Sequence, residues 1–430
     1  MLRRLMRWLT PFKACFGHRA EAVSLAGYVS GLLSDSPRKS MQAMLARVTD
    51  APAYHALQHF ITNAPWSAAA MWRQLRAQLP ERRGVLLLDD TGFPKKGTKS
   101  VGVARQYTGT LGKVGNCQVA VTAALWTGVR AWLVAAALYL PESWTNDRER
   151  CQAAHVPETV RFRKKWQIAL HLLQQVRASG MTITAVLSDS GYGDATTFRT
   201  ALHRLKLPYG VGVSDTLTVF LERPALEMPR RVPGPRQRWP RAKLGATSPP
   251  VTVKTVATSL PADAWQPVTW QHGDQPVRGA LCAALRVTPA HDWHHGLILP
   301  EIWLLLERPD DRRGVTKCYF INLPRRTALG RLVRFVHQRW PIEQQYQQLK
   351  TELGLDHFEG RTYPGWNHHV VVSAVAYAFL QAERRHRDTA LTFEAVHTIV
   401  QEIFVGLLFA SRPRYARWLN EARQFLPLRL

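Results

Sequence analysis

From Leu2 to about Pro80 apolar and basic positions recur at helical spacing, broken at SDSPRKS and TDAP, where Ser and Asp are available as N-caps. This predicts a small helical unit over residues 1–82. At Arg83 the texture changes: GVLLLDD is a short continuous apolar run ending in acids, the pattern of a buried strand with polar groups at its C-terminal end. Further strands are expected near 101–109, 117–127 and 131–139, followed by a helix near 157–178, the strand ITAVLSD, a helix opening at ATTFRTAL and the strand LPYGVGVS. Three sheet-forming segments and then alternating helix and strand predict an α/β sheet over 83–213, a pattern that more than one α/β fold satisfies.

Between 214 and 300 the pattern shifts again. MPRRVPGPRQRWPRAKLGATSPP is too rich in proline and arginine for regular structure, and the runs VTVKTVATSL and ALCAALRVTP after it are β-type, so this stretch reads as an inserted β-rich unit with a basic loop. The helix and strand pattern resumes over 301–385 at IWLLLERP and KCYFINLP, and one long helix is expected from Thr327 to Glu352. Residues 386–430 read as a helical end with Arg412, Arg414, Arg417 and Arg423. There is no internal repeat.

Charge narrows the partner. Lys and Arg number 57 against 31 acidic residues, a net charge of +26, which favours a polyanion such as nucleic acid. The basic residues are dispersed, with no lipidation signal and no polybasic run beside a spanning helix, so a membrane partner is not expected. Arg3, Arg4, Arg7, Lys13, Arg38, Lys39, Arg47, Arg73 and Arg76 of the helical unit are placed either to touch phosphates or to form a solvated face. Cys15, Cys117, Cys151, Cys282 and Cys318 form no CxxC pair, so zinc and disulfide frameworks are not indicated and a reducing cytoplasm is expected. The start MLRRLMRWLTPF has a signal peptide's charge, but Pro11 cuts its apolar stretch short. The longest apolar run, Val119 to Leu140, carries Arg130 beside Thr127 and Gly128 and reads as two core strands joined by a turn.

The chemistry rests on acids. Asp89 and Asp90 end one apolar strand and Asp189 ends another, so acids at two strand termini converge if the strands are neighbours, although a lone Asp at such a place ordinarily caps a helix or turn. A third acid lies in RFVHQRWPIEQQYQQLK, where Arg339, Glu343 and Lys350 share one face if the segment is helical. Trp340 and Ile342 beside Glu343 suggest a desolvated acid that needs a cation. Three carboxylates from separate parts of the chain suit two Mg2+ or Mn2+ ions in phosphoryl transfer, with Arg339 and Lys350 on the DNA backbone.

With these residues the chain resembles the bacterial insertion-sequence DDE transposases, in the cut-and-paste branch whose ribonuclease-H-like core carries a β-rich insertion. The stretches that carry the resemblance are LLLDDTGFPKKG, VLSDSGYGD and RWPIEQQYQQLKTELGLDHFEGR. It implies a ribonuclease-H-like α/β catalytic core, a helical N-terminal DNA-binding domain, and Asp89, Asp189 and Glu343 as catalytic metal ligands. Asp90 stands as the alternative to Asp89; the family's spacing to a following Thr favours Asp89 with Thr91. The branch signature of Tyr, Arg, Glu and Lys falls on Arg339, Glu343 and Lys350, with Val336 in the tyrosine's place. The resemblance further implies hairpin formation at the element's ends, with Trp265 or Trp270 as candidates to stack on an extruded base, a contact of about 1–3 kcal/mol; core packing is their ordinary alternative.

Lys95, Lys96 and Lys99 are placed either to grip the scissile DNA or to solvate a hairpin tip. His291 to His295 (HDWHH) read as a loop without zinc spacing, and no phosphate-binding glycine loop or GxSxG nucleophile occurs. The expected partners are double-stranded DNA, at the element's terminal inverted repeats and at the target, and a second copy of the chain. The other readings are a DNA-binding regulator without catalysis, against which the three intact acids argue, and a metal nuclease that cuts without joining.

Overall fold

The computed structural model describes residues 1–227, 241–246, 248–271, 275–291, 293–309, 317–386, 391–412, 417 and 421. The expected basic loop lies largely outside the described residues, as do Arg414 and Arg423. The chain opens on five helices, α1 (Leu2–Leu9), α2 (Arg19–Leu33), α3 (Met41–Leu45), α4 (Tyr54–Thr62) and α5 (Ala68–Gln78). The N-cap expectations hold poorly here: Ser40 precedes α3 without a side-chain cap bond, and Ala53 rather than Asp50 precedes α4. Ser67 does cap α5, its hydroxyl accepting from the Ala70 N–H at 3.2 Å.

Strands β1 (Arg83–Pro94), β2 (Ala104–Thr108), β3 (Lys113–Trp126) and β4 (Ala131–Tyr139) follow, then the short helices α6 (Glu142–Thr145) and α7 (Arg148–Ala153). Next come α8 (Lys165–Ala178), β5 (Thr182–Ser188), the one-turn α9 (Ser190–Gly193), α10 (Thr196–Arg204) and β6 (Tyr209–Val213). Helix α8 starts at Lys165, not near residue 157 as the pattern suggested. Pro157 opens a turn, and the helix begins where Gln167 Oε1 accepts from the Lys164 N–H at 2.8 Å. β1 pairs antiparallel with β3 and parallel with β5, β3 pairs antiparallel with β4, and β5 pairs parallel with β6. The central order is therefore β4-β3-β1-β5-β6.

The segment after residue 213 does not stand apart from this sheet. It contains β7 (Thr218–Phe220), a small pair β8 (Leu226–Glu227) and β9 (Lys243–Leu244), then β10 (Val251–Thr252), α11 (Val253–Ser259), β11 (Gln266–Trp270) and β12 (Arg278–Pro289). β13 (Ile302–Pro309) and β14 (Lys317–Ile321) then carry the same sheet through β12, β13 and β14 onto β6. The expectation of a strand through VTVKTVATSL is corrected: Thr252 caps a helix, its Oγ1 accepting from the Thr255 N–H at 3.1 Å. Val253, Val256 and Ala257, at i, i+3 and i+4, give that helix a buried face.

The expected single helix from Thr327 to Glu352 is two helices, α12 (Leu329–His337) and α13 (Pro341–Thr351). Pro341 has no N–H to continue the first helix and disfavours helical backbone before it, yet it suits the first turn of the second. α14 (Tyr363–His386) and α15 (Phe393–Ser411) complete the described chain. α15 is long and apolar enough to cross a membrane, with one third of its most apolar window buried.

Alternation along β1 divides the molecule into layers. Leu86 and Leu88 join the core shared by α8, α14 and the N-terminal helices, whereas Val85 and Leu87 pack with Ile342 and Tyr346 of α13. Leu86, Leu87 and Leu88 are wholly buried, each worth about 1.5–3 kcal/mol relative to exposure. Asp89 continues the α13 face and Asp90 the α8 face.

The turn carrying Asp189 lies directly against β6. A Cβ on Gly193 would sit 1.8 Å from the Gly212 carbonyl oxygen, and one on Gly212 would sit 2.9 Å from the Ser190 nitrogen. Two glycines are the condition for this approach. Gly193→Ala is expected to cost about 2 kcal/mol or more by forcing backbone apart, measurable by urea unfolding; a loss below about 0.5 kcal/mol would mean the turn yields freely.

Candidate active site

β1 and β5 are parallel neighbours with Leu88 opposite Ser188, so the acids that follow, Asp89 and Asp189, stand side by side where β5 ends; β1 itself runs on to Pro94 against β3, which corrects the expectation of a strand ending at Asp89 and Asp90. Asp89 is buried and Asp189 half-buried, with its Oδ1 covered. Asp89 accepts from the Arg339 guanidinium, Nη1 to Oδ2 at 2.6 Å, and from the Asp90 backbone N–H at 2.8 Å. Burial pushes its carboxyl up to about 7 and the charges of Asp189 and Asp90 add to this, outweighing Arg339 and the Asp90 N–H. Asp189 is raised in the same way, chiefly by burial and by Asp90, against Arg339, the Gly191 N–H and Lys165.

Arg339 is the hinge of the arrangement. Its Nη2 reaches Glu343 Oε1 at 2.9 Å, so one guanidinium bonds two carboxylates. Burial works against its charge, but Asp89, Glu343 and Asp189 hold its proton affinity above the ordinary value. Glu343 itself is 54% exposed, which corrects the expectation of a desolvated acid: Ile342 faces the core in its place. Arg339 also belongs to the connection Gln338–Trp340 between α12 and α13, so the helical face expected for Arg339, Glu343 and Lys350 exists only from Pro341 onward.

Asp90 turns to the other face and pairs with Lys165 at the start of α8, 2.5 Å away. Tyr346, one turn beyond Glu343, bonds its hydroxyl to Thr122 at 2.5 Å, and Thr122 is the cross-strand partner of Asp89. That bond fastens α13 to the strand bearing the first acid. Tyr192 is buried among the three aspartates, which together with burial raise its proton affinity. Sequence reasoning assigned no role to Lys165, Tyr346 or Tyr192; the place of Tyr346 at i+3 from Glu343 was the available signal.

The remaining expected site residues have surroundings of their own. Lys350 Nζ donates to the Gly92 carbonyl at 2.9 Å and to Thr110 at 3.1 Å, and Lys95 Nζ donates to the Phe358 carbonyl at 2.6 Å. Lys96 is exposed. Trp265 and Trp270 are each 9% exposed: Arg308 lies over the Trp265 ring, and Trp270 stacks on His337 with centroids 3.8 Å apart. Val336, at the position of the expected tyrosine, is packed in the core between α12 and the sheet.

Two buried carboxylates with raised proton affinity suit a hard divalent cation, and Asp189 Oδ1 is buried without a well-formed hydrogen bond. Among the described residues, however, no three His, Cys, Asp or Glu side chains stand close enough together to hold a metal ion. Arg339 supplies the positive charge between Asp89 and Glu343. Thus Asp189 presents a free buried oxygen to such a cation, whereas Asp89 and Glu343 fit it only once Arg339 has turned from them.

A family model described as "DDE superfamily endonuclease" matches residues 11–277, well over half of the chain, and the chain belongs to that family. The matched span contains Asp89, Asp90 and Asp189 and ends before Glu343. The chain is also 34% identical over 189 residues to a protein of Microchaete diplosiphon described as "Probable transposase for insertion sequence element IS701". That match covers 43% of this chain and 46% of the relative, so the chain spans about half of the relative's length. A cryo-EM structure of a piggyBac transposase synaptic complex with hairpin DNA covers 100% of this chain and 83% of its own at 8% identity, with a TM-score of 0.46, too slight a likeness to argue from.

Because the Asp89 carboxyl titrates near 7 in the folded protein but near 3.8 unfolded, the native state keeps a proton that the unfolded chain has released across this window. Stability contributed by the neutral form is present below pH 4 and is lost as pH rises through 7. In metal-free buffer the melting temperature is expected to fall more steeply between pH 5 and 7.5 for the wild type than for Asp89→Asn. Parallel curves would show that Asp89 does not carry this proton.

Proposed function

We propose that the chain is an insertion-sequence transposase that cuts double-stranded DNA at an element's terminal inverted repeats and joins the freed ends to target DNA. Asp89, Asp189 and Glu343 hold two divalent cations, Mg2+ or Mn2+, in this reading. The observation that carries it is the juxtaposition of buried Asp89 and half-buried Asp189 just past the last paired residues of two adjacent parallel strands, in a chain of net charge +26. The order β4-β3-β1-β5-β6, three antiparallel strands followed by two parallel ones, matches the plan of a ribonuclease-H-like core. It supports that fold for 83–213, with the N-terminal helices as a DNA-binding domain and the strands after residue 213 as the insertion.

When bound, divalent cations supply positive charge that activates the attacking oxygen and stabilises the leaving oxygen of an in-line displacement at phosphorus. The chain's own residues set the stage. Tyr346 and Thr122 fix α13 against β1, Lys165 holds Asp90 away from Asp89, and the planar donors of Arg339 match phosphate oxygens as well as carboxylates. Lys350, which reaches the Gly92 carbonyl of β1 from α13, and Lys95, just past the end of β1, are set to contact the DNA backbone. Joining at two ends implies a homodimer on DNA, acting in the cytoplasm. The resemblance drawn from the sequence supports a hairpin intermediate, with Trp265 or Trp270 beside the extruded base.

Asp89→Asn, Asp189→Asn and Glu343→Gln are each expected to lower Mg2+-dependent nicking of element-end DNA by ~10^3-fold or more, roughly 4 kcal/mol. Binding of the same DNA stays within about threefold in each. Asp90→Asn, which removes the pair with Lys165 and the charge that Asp90 places beside Asp89 and Asp189, is expected to keep about a tenth of the activity or more. Recovery of end-to-target joined strands separates transposition from cutting alone. Wild-type protein that bound its ends in Mg2+ or Mn2+ yet neither nicked nor joined them would overturn the reading.

A further inference from the structure

Away from the acids, α5, β4, α8 and the loop before α8 enclose a cleft of about 560 Å³. Its floor is apolar, with Trp72 and Leu138 on it, and its cationic groups are Arg73, Arg76, Arg161, Arg163 and His171; among the described residues no carboxylate lines it. Arg76 is the telling residue. It is 4% exposed, its Nη1 donates to the Val134 carbonyl at 3.0 Å, and its buried Nε has no hydrogen-bond partner among the described residues. Burial and neighbouring Arg73 depress its proton affinity to about 10, and His171 is likewise depressed by burial and by Arg163. Arg76 therefore keeps a buried charge without a counter-ion beside the exposed guanidinium groups of Arg73, Arg161 and Arg163, an arrangement that an entering anion relieves.

We propose that this cleft binds a phosphate group of a DNA strand, with Arg73, Arg76 and Arg163 around the phosphate and the apolar floor beneath the adjoining sugar and base. The volume is that of a nucleotide-sized ligand, and arginine forks suit phosphate oxygens. α8 links the cleft to the acids. Lys165 at its start pairs with Asp90, and His171, six residues on, lies about 9 Å further along the axis. The inference rests on DNA as the substrate but not on cleavage.

The test is the salt dependence of duplex DNA binding by the full chain, wild type against Arg73→Gln/Arg163→Gln, both positions being exposed and tolerant of change. Removing one phosphate interaction lowers the slope of log affinity against log salt by about 0.9, so a fall of about 2 is expected, with weaker binding to unrelated sequences as well. Arg76→Met is a second probe: it is expected to weaken DNA binding while keeping or raising the melting temperature, since it removes an uncompensated buried charge. An unchanged slope in the double variant, with Arg76→Met merely destabilised, would make Arg76 a structural residue and overturn the proposal. Inorganic pyrophosphate raising the melting temperature of wild type only, with the DNA slope unchanged, would assign the cleft to a free phosphate ligand and overturn the DNA source. Failure of the wild type to cleave would instead count against the proposed function and leave the slope comparison intact.

Discussion

The structure turns on the burial of carboxyl groups where two parallel strands, β1 and β5, part company. Asp89 and Asp189 emerge together because β1 and β5 are neighbours in register, and neither gains enough from backbone donors to stay an ordinary carboxylate. Such a pair persists only if something positive attends it. In this arrangement Arg339 does so, and the helix that follows it, α13, is anchored through Tyr346 to the strand that bears Asp89. Sheet register, helix docking and site charge are thus one constraint.

Much of this was legible in the residues. GVLLLDD and AVLSD announced two buried strands bearing acids, although the first runs on past its acids to Pro94, and the two-residue period sets Asp89 and Asp90 on opposite faces, where α13 and α8 meet them. What escaped was what local pattern cannot carry. Pro341 was in plain view, yet the apolar period runs through it, and only the positions of the flanking helices separate one bent helix from two. The β-branched run VTVKTVATSL looked like a strand, but a threonine cap and a buried face at i, i+3 and i+4 made most of it a helix. Glu343 looked desolvated by its neighbours in sequence, whereas the side chain of Ile342 faces inward and that of Glu343 outward.

Pairing across long separations was equally hidden. β14 closes on β6 more than a hundred residues earlier, so the β-type stretch after residue 213 extends the sheet that carries the acids. No local periodicity specifies that partnership. The same holds for Lys165 and Asp90, 75 positions apart, and for Tyr346 and Thr122, 224 apart: each is a polar group satisfied by a partner that only the assembled layers supply.

The break at Pro341 has a mechanical consequence. A guanidinium rooted in mid-helix would be steered by the whole rod, and relocating it would mean tilting or unwinding several turns. Arg339 is rooted instead in a three-residue joint between α12 and α13. Its departure from the two carboxylates requires only side-chain rotations and small changes at that joint, while Leu332, Val333 and Ile342 on either side keep both rods seated. The positive charge that balances the acids is thereby detachable, at no expense to the packing that positions them.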